Sequence, residues 1–344
     1  MAFTLTVLLN GLVSVGEVNG LVFQENERRR SKYGALEAHV QGTPMLIPAS
    51  RLTDLRTSEE RVTSIDTFVK EGLGSGTARK CVGTGTGTTA RTPLVYSTIM
   101  EEFSISTLEH TNNLTRQQEA FNHLLNEKLK SMASRADTLA VANLEANKSV
   151  VNAGSIYAFG TAPFDAAAHK VPNTLDKNLF FNNVSVEMQE NDFDGQYWNI
   201  ASTSQKALIR FANLQGAGNA TNLAPLDDDF SHFTSNRVTN ADAAIESTSY
   251  MMTPGTVAMI SWINTLERNG AVAGQYRWES FDDPFGLLGR IGLKINETCT
   301  DNSGSFAGAQ ADLVTSYVLS VDLAFVAAFT SNTDTGIYKY EIEG

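Results

Sequence analysis

Residues that could carry out chemistry are dispersed along this sequence. Metal and acid–base sites are commonly built from histidines that share one short motif, such as H-x-x-x-H or H-E-x-x-H on a helix face. Neither motif occurs, and the five histidines stand apart: His39, His110, His123, His169 and His232. We therefore expect ordinary surface or core histidines, and no metal centre.

Two acidic runs and one glycine-rich run are the other candidates for ligand binding. Asp227-Asp228-Asp229 and Asp282-Asp283 offer oxygen ligands for a divalent cation, but the spacing of an EF-hand loop is absent, and acidic runs in polar loops are usually solvated. Gly83-Thr84-Gly85-Thr86-Gly87 is similar in composition to a phosphate-binding loop. No Lys-Ser/Thr follows it, however, and no amphipathic helix begins after it. These runs predict loops instead of binding sites.

The sequence also contains no motif that indicates a nucleophilic catalytic site. No G-x-S-x-G motif marks a serine hydrolase. The two cysteines, Cys81 and Cys299, form no C-x-x-C pair and are expected to be free thiols. We expect no catalytic residue, no cofactor-binding residue, no metal and no cofactor, so the chain is predicted not to be an enzyme.

The bulk composition is that of a folded, acidic protein. The chain has 344 residues, of which 42% are hydrophobic and 19% charged, and its net charge is −12. A sequence-specific nucleic-acid binder normally presents a basic face, which this charge balance disfavours. No window of about 18 apolar residues occurs, and the apolar stretch 1–22 lacks the basic residues and cleavage site of a signal peptide. A soluble, intracellular product without membrane association is expected.

The N-terminal part of the chain is predicted to contain little core of its own. Residues 1–60 mix glycine, proline and charge without a clear period, which favours an extended arm. Residues 61–104 are predicted to form a long hairpin, with Val62 to Val69 in one arm and Pro93 to Ile105 in the other. The connecting stretch Gly72 to Gly87 is too poor in large side chains to bury itself. It is expected to be either mobile or held by something outside its own domain.

The strongest periodic pattern predicts one long helix from Thr115 to about Lys148. Thr115 and Gln118 have the spacing of a capping box. Apolar residues then recur at steps of three and four in a narrow stripe: Phe121, Leu124, Leu125, Leu129, Met132, Ala136, Leu139 and Ala140. Such a helix is about 50 Å long at roughly 1.5 Å per residue. A helix of this length with a thin stripe needs packing partners, either within the chain or in its neighbours.

The remaining pattern mixes helices and strands and predicts an α+β fold. A helix is predicted over 174–192, ended by Gly195, with inward residues Leu175, Leu179, Val186 and Met188. A second helix is predicted after the cap Ser202-Thr203-Ser204 and ends at Gly216, with an apolar pattern of Ala207, Leu208, Phe211 and Leu214. A third, short helix is predicted over Thr256 to Leu266. Strands are predicted at Tyr197–Ile200, Phe233–Val238, Tyr250–Met252, Leu287–Ile295 and Leu313–Phe329.

In this order of elements the chain resembles the Hong Kong 97 fold of tailed-phage major capsid proteins. Two stretches carry the resemblance: Glu101-Glu102-Phe103-Ser104-Ile105-Ser106 before the long helix, and the helix over 174–192 followed by Tyr197-Trp198-Asn199-Ile200-Ala201-Ser202, a new helix and Ser235-Asn236-Arg237-Val238. The resemblance implies an N-terminal arm at 1–60, an E-loop hairpin at 61–104, a spine helix and peripheral domain at 105–164, an axial domain at 165–275, and a return to the peripheral domain through C-terminal strands at 276–344.

The resemblance also implies a structural role. Members of this family self-assemble into hexamers and pentamers of an icosahedral phage head that encloses double-stranded DNA without sequence-specific binding. The chain would be made in the host cytoplasm and located in the virion, with separate scaffolding, portal or decoration proteins as partners. Some members cross-link a lysine to an asparagine of an adjacent subunit, but no motif selects Lys70 or Lys80 here, so that chemistry is not carried over.

Two other functional classes stay open at this point. The first is an encapsulin-type compartment shell, which shares the fold but packages enzymes. The second is a different phage structural protein, such as a tail-tube or decoration subunit, although those are usually β-dominated and lack a helix of this length.

Overall fold

A computed structural model describes residues 32–68, 89–106, 114–149, 164–165, 168–173, 175–191, 193, 195–217, 229–302, 310–328 and 335–344. The helices are α1 (Gly34–Leu46), α2 (Ala49–Thr57), α3 (Leu114–Ala146), α4 (Leu175–Asn178), α5 (Phe180–Glu190), α6 (Lys206–Ala217) and α7 (Thr265–Asn269), and a 3-10 turn covers Thr203–Gln205. The strands are β1 (Ser64–Phe68), β2 (Thr89–Pro93), β3 (Tyr96–Ser106), β4 (Phe164–Asp165), β5 (Ala168–Val171), β6 (Tyr197–Ser202), β7 (Phe230–Ser235), β8 (Ile245–Met252), β9 (Val257–Trp262), β10 (Val272–Ala273), β11 (Tyr276–Asp282), β12 (Arg290–Asn302), β13 (Gln310–Ala327) and β14 (Tyr338–Glu343). Among these helices, none is both long and apolar enough to cross a membrane.

Two six-stranded sheets form the body of the described chain. The first has the order β10-β11-β12-β13-β3, with β9 also paired to β13, and its pairings are antiparallel. The second has the order β4-β5-β14-β8-β6-β7 and contains two parallel pairs, β5 with β14 and β6 with β7. Strands β1 and β2 form a separate two-stranded sheet. The α+β class predicted from the sequence is confirmed by this mixture.

The long helix α3 packs against both sheets. It contains 33 residues, which confirms the helix predicted from the apolar stripe. Its buried residues from Phe121 to Ala136 belong to the core of the first sheet, whereas Ala140 and Leu144 belong to a core on the second sheet. The stripe therefore has packing partners within the chain. The predicted capping box depends on the side chains at 115 and 118, which the structure does not describe.

Strand β13 connects the same two cores. Its 18 residues pair with β12 and β3 along most of their length and with β9 at the C-terminal end. Leu319 and Leu323 are buried in the core of the first sheet, and Ala327 is buried in the core that contains the end of α3. One helix and one strand thus run through both halves of the body.

Helices α1 and α2 replace part of the predicted extended arm over 1–60, so that prediction is wrong for residues 34–57. Leu36 is buried in the core of the first sheet, and neighbouring alanines are buried against the second. Because many of its buried residues are small, this helix has no clear apolar period in the sequence. A Cβ added at Gly42 would lie 2.1 Å from the carbonyl oxygen of Val257, so α1 is buried through close backbone approach instead of through large apolar side chains. Residues 1–31 lie outside the described residues.

The hairpin predicted over 61–104 is shorter than expected. Strand β1 pairs antiparallel with β2, from Ser64 opposite Pro93 to Phe68 opposite Thr89. The assignment of the following apolar segment to the same hairpin is wrong, because β3 pairs with β13 in the first sheet. Alternate residues of β3 are buried, which a strand on a core requires. The glycine-rich stretch at 72–87 lies outside the described residues.

The helix predicted over 174–192 is interrupted, since α4 ends at Asn178 and α5 begins at Phe180. Met188 is buried as predicted, but Leu179 and Val186 are exposed. The apolar inward positions of α5 are Phe180, Phe181, Val184 and Met188. Gly195 does not end this helix, because α5 stops at Glu190. The structure describes the backbone of Leu175 but not its side chain.

The helix predicted after Ser202 is present as a 3-10 turn followed by α6, which continues one residue past Gly216. The hydroxyl of Ser202 contacts Ser204 and accepts a hydrogen bond from the backbone N–H of Thr248, and it does not cap the turn. Phe211 and Leu214 were counted in the apolar pattern of this helix, yet they are 39% and 70% exposed.

The helix predicted over Thr256 to Leu266 is wrong. Residues 257–262 form β9, and the helix there is the five-residue α7. Every residue of β9 is buried, and a strand buried on both faces has a continuous apolar run that periodicity cannot separate from a buried helix. The predicted strands at Tyr197–Ile200, Phe233–Val238, Tyr250–Met252, Leu287–Ile295 and Leu313–Phe329 correspond, with shifted ends, to β6, β7, β8, β12 and β13. Strands β11 and β14 were not predicted.

Candidate assembly site

The histidines singled out in the sequence occupy separate environments. His39 and His169 are buried, His232 is half-buried, His123 is exposed, and His110 is outside the described residues. Within the described ranges, no group of three or more His, Cys, Asp and Glu residues is arranged to hold a metal ion.

The hydrogen bonds of the buried His39 fit a neutral imidazole, whereas the buried His169 has its Nδ1 3.2 Å from Oε1 of Glu187. Nδ1 of His39 lies 2.7 Å from the carbonyl oxygen of Ala35, and its Nε2 lies 3.1 Å from Nδ2 of Asn143. The first nitrogen therefore donates and the second accepts, as in a neutral imidazole. Burial lowers the pKa of His39 to about 4, although the bond to Ala35 opposes the shift. Burial likewise lowers the pKa of His169 to about 4.

The acidic run Asp282-Asp283 has a structural role. The carboxylate of Asp283 accepts hydrogen bonds from the backbone N–H groups of Phe285, Leu287 and Leu288 at 3.1, 3.0 and 2.9 Å. It therefore fixes the turn between β11 and β12. Asp282, Asp229 and Cys299 are exposed. The remaining candidates at 70, 80, 81, 83–87, 227 and 228 lie outside the described residues.

Polar groups do converge where the β1–β2 ribbon joins the body. Nη2 of Arg61 lies 2.7 Å from Oδ2 of the buried Asp322 on β13. The hydroxyl of Thr98 donates to Oδ1 of the same carboxylate at 2.5 Å. Arg61 precedes β1, and Thr98 lies in β3 shortly after β2. One carboxylate thus holds the chain on both sides of the ribbon, and we call Arg61, Thr98 and Asp322 the ribbon clamp.

Aromatic side chains cover the clamp. The guanidinium of Arg61 lies 6.0 Å from the ring centroid of Tyr96 and 5.4 Å from that of Trp262. The indole N–H of Trp262 donates to the carbonyl oxygen of Ser58 at 3.1 Å, and Nη1 of Arg268 donates to the same oxygen at 3.2 Å. The Asp322 side chain is 8% exposed and that of Arg61 is 44% exposed, so only the carboxylate end of the ion pair is shielded from water.

The strand that follows the ribbon is tied to α3 by Glu101. Its carboxylate accepts from the hydroxyl of Ser131 at 2.7 Å and from Nζ of Lys128 at 3.2 Å, and Nη1 of Arg135 lies 3.6 Å away. Burial alone would raise the pKa of Glu101, but the hydrogen bonds from Ser131 and Lys128 and the nearby positive charges outweigh it and lower the pKa. The ribbon is therefore mounted on an anchored strand.

The described side chains of the ribbon contribute little to any core. The side chains described in it, at 64–66 and 91–93, are exposed or half-buried, and none is buried. Ile65 at its base packs partly against the small cluster that contains Leu55 and Leu94. An isolated two-stranded ribbon is marginally stable in water.

Several large apolar side chains are exposed on the described part of the chain. They are Met45, Val95, Met100, Leu179, Val186, Phe211, Leu214, Leu266, Val272 and Leu313. Val95 is 75% exposed and lies between β2 and β3, at the foot of the ribbon. Phe211 and Leu214 are three residues apart and share one face of α6. Single exposed apolar residues are common.

The ribbon clamp could not be found by searching for motifs. Arg61 and Asp322 are far apart in the sequence, and neither belongs to a recognised pattern. One signal was present: Asp322 interrupts the apolar run of the strand predicted at Leu313–Phe329, and a charge in a buried strand requires a partner.

Comparison with known proteins gives structural likenesses only. No protein-family model matches the sequence, and no curated protein matches it. The structure titled "Capsid structure of the Cyanophage P-SCSP1u" is similar at 13% identity, covering 84% of this chain and 85% of that chain, with a TM-score of 0.44. "Cyanophage A-1(L) capsid asymmetric unit" is similar at 11% identity, covering 80% and 86%, with a TM-score of 0.45. "Mycobacterium phage Adephagia" is similar at 12% identity, covering 82% and 84%, with a TM-score of 0.41. At these identities and TM-scores the likenesses do not assign a function, which has to rest on the residues of this chain.

Proposed function

We propose that this chain is a structural subunit that assembles with copies of itself into a closed shell, as a tailed-phage major capsid protein does. The observation that carries the proposal is the β1–β2 ribbon. A buried carboxylate anchors it on both sides, yet none of its described side chains is buried. A neighbouring subunit would supply the surface that such a ribbon needs.

The body of the chain suits a repeated building block. Helix α3 and strand β13 each run through both cores, so the two sheets are joined by continuous elements instead of by a linker. A stiff body with a protruding arm makes head-to-tail contacts, and such contacts close into rings when they repeat around a symmetry axis.

The finer assignments follow the Hong Kong 97-like arrangement that the sequence resembles. Segments 105–164, 165–275 and 276–344 would be the spine helix with the peripheral domain, the axial domain and the return to the peripheral domain. Of the segment predicted as the E-loop, only the part up to the end of β2 would extend from the body, because β3 belongs to the first sheet. Of the segment predicted as the arm, only the residues before α1 keep that assignment. Copies would form hexamers and pentamers of an icosahedral head around double-stranded DNA. A net charge of −12 suits a container that does not hold its polyanionic content by specific contacts. The subunit would be made in the host cytoplasm, would have no catalytic activity, and would act with separate scaffolding, portal or decoration proteins.

The test is to express the chain alone and to measure its mass by size-exclusion chromatography with light scattering, followed by negative-stain electron microscopy of the large species. Hexamers, pentamers or closed shells are expected. A monomer of 37.3 kDa at every concentration would overturn the proposal.

A matched variant tests the segment that connects the two strands of the ribbon. Phe68 is joined to Thr89 through an Asn-Gly turn, which favours a tight hairpin, so that the paired strands and the clamp are kept. We expect this shortened-ribbon variant to fold with unchanged far-ultraviolet circular dichroism but to assemble poorly. Normal assembly would show that residues 69–88 are not needed for the contact.

The same images separate the alternative classes. Shells that enclose a co-purified host protein would favour an encapsulin-type compartment over a phage head. Open tubes would favour a tail subunit.

A further inference from the structure

A cleft lined by three arginines lies beside the foot of the ribbon. Its volume is about 360 Å³, and its lining includes Arg56 from the end of α2, Arg268 from α7 and Arg290 from the start of β12. Trp262 and Ile263 also line it and give it an apolar wall. Three separate parts of the chain thus bring guanidinium groups to one concave surface.

The arginines are not neutralised by ion pairs within the described part of the chain. No described carboxylate lies within 4.0 Å of a guanidinium nitrogen of Arg56, Arg268 or Arg290. Two aspartates also line the cleft. Asp283 is occupied by three backbone N–H groups, and Asp282 lies opposite Arg290 in the strand register and offsets part of its charge. The lining is therefore positive on a chain whose net charge is −12.

Hydrogen bonds hold two walls of the cleft: those of Arg268 to the end of α2 and those of Asp283 within its turn. Arg268 donates through Nη1 to the carbonyl oxygens of Arg56 and Ser58 at 3.1 and 3.2 Å, which fixes the end of α2. On the opposite side, the Asp283 turn contains Gly286 and Gly289, both with positive φ. A preformed site loses little entropy when it binds a partner.

We propose that this cleft binds a carboxylate-bearing segment of a second copy of this chain. The proposal rests on the proposed self-assembly and adds a second contact to the ribbon. Guanidinium groups bind carboxylates with two parallel hydrogen bonds, and an acidic chain with 38 Asp and Glu residues against 26 Lys and Arg presents such groups in excess. Arginine binds phosphate as well as carboxylate, and the apolar wall of Trp262 and Ile263 favours the carboxylate of a peptide. The cleft adjoins the C-terminal end of α2.

The test measures self-association of the full chain by sedimentation velocity for the wild type, Arg56→Glu and Arg290→Glu. Arg268 is left intact because it also supports α2. The matched control is Arg51→Glu, which makes the same charge change at an exposed position of the same helix. We expect each cleft variant to weaken association at least about tenfold, as loss of an interface charge pair does. Arg290→Glu should leave the melting temperature unchanged, and Arg56→Glu should lower it slightly, because Arg56 lies in the last turn of α2 and faces the negative end of the helix dipole. Arg51→Glu should have a much smaller effect on association.

Competition identifies the occupant. A short polyglutamate peptide should inhibit association of the wild type, and inorganic phosphate at equal ionic strength should not. Equal weakening by Arg51→Glu and Arg56→Glu would show a general charge effect and overturn the proposal. Tight phosphate binding combined with normal association of the cleft variants would also overturn it, because the ligand would then be a phosphate. If the cleft variants assemble normally and the shortened-ribbon variant does not, the cleft proposal is wrong and the proposed assembly still stands. If the wild-type chain does not self-associate, both the cleft proposal and the proposed assembly into a shell are wrong.

Discussion

Single buried polar side chains hold distant segments together in this protein. Asp137 on α3 is fully buried. Its carboxylate accepts from the backbone N–H of Leu36 at 2.9 Å and from the hydroxyl of Ser235 at 2.5 Å. Leu36 lies in the first turn of α1, so a carboxylate from another helix satisfies a free N–H there and faces the positive end of the helix dipole. Burial raises the pKa of Asp137, although these hydrogen bonds oppose the shift.

Replacing Asp137 with alanine should lower the free energy of unfolding by about 2 to 4 kcal/mol, because two buried donors lose their acceptor. Urea unfolding followed by circular dichroism measures the loss. Asp54→Ala on the exposed side of α2 is the matched control and should change stability by less than about 0.5 kcal/mol. Equal losses in the two variants would show that Asp137 does not hold α1.

The buried histidines make stability depend on pH. His39 and His169 have pKa values lowered by burial from 6.5 to about 4. Between these values the unfolded chain binds protons that the folded chain does not, so stability falls as the pH drops from 6.5 towards 4. Each histidine contributes about 3 kcal/mol over that range.

Urea unfolding at pH 7 and pH 4.5 tests this dependence. The difference between the two pH values should be smaller in His39→Gln than in the wild type, even though the variant is less stable at pH 7. His123→Gln, at an exposed position, should keep the wild-type difference. An unchanged difference in His39→Gln would contradict a neutral buried imidazole.

At the scale of elements, the backbone of α1 lies close to the backbone of neighbouring strands. An added Cβ at Gly42 would lie 2.1 Å from the carbonyl oxygen of Val257, and one at Gly34 would lie 2.5 Å from the backbone nitrogen of Thr234. Alanine is favoured over glycine in a helix by up to about 1 kcal/mol. Overpacking costs about 1 to 3 kcal/mol, and here the neighbour is backbone, which cannot rotate away.

Gly42→Ala should therefore lower the melting temperature in spite of the better helix propensity of alanine. Gln41→Ala, one position along and exposed, should leave it within a degree or two. Differential scanning calorimetry of the two variants compares them directly. A rise in the melting temperature of Gly42→Ala would mean that α1 can move away from β9.

The elements that could be predicted from the sequence are those whose burial follows a simple period. Helix α3 has large apolar residues at steps of three and four, and β13 is a long β-branched and apolar run. Helix α1 carries Gly and Ala at its contacts, and β9 is buried on both faces, so neither has a diagnostic period. Leu179, Val186, Phe211 and Leu214 have the spacing of inward residues and yet are exposed. A monomer sequence pattern does not distinguish a face that packs on its own sheet from one left for other contacts.

The candidate site was predictable only in outline. The location of a ribbon before a long helix follows from the order of elements. The clamp depends on Arg61, Thr98 and Asp322, which meet through the pairing of β3 with β13. That pairing was predicted wrongly, so the meeting of the three side chains could not be inferred. The arginine cleft depends in the same way on the contact of α2 with α7.

At the scale of the molecule, the two sheets should behave as one cooperative unit. Helix α3 has buried residues in the core of each sheet, and β13 does so too. Unfolding one core would therefore expose apolar surface of an element that the other core still holds. This arrangement differs from two domains joined by a linker, which unfold in separate steps.

Tryptophan fluorescence can test this coupling, because Trp198 is buried in a core on the second sheet and Trp278 lies on β11 of the first. The variant Trp262→Phe/Trp278→Phe reports from Trp198 alone, and Trp198→Phe/Trp262→Phe reports from Trp278 alone. Both lack Trp262, so any loss at the ribbon clamp is common to them. In each variant the fluorescence midpoint in urea should coincide with the far-ultraviolet circular dichroism midpoint. If Trp278 instead reported an earlier transition than circular dichroism, the first sheet would open while the second stayed folded. In that case α3 and β13 would connect the two sheets without making them unfold together. The body that holds the ribbon would then be flexible instead of rigid.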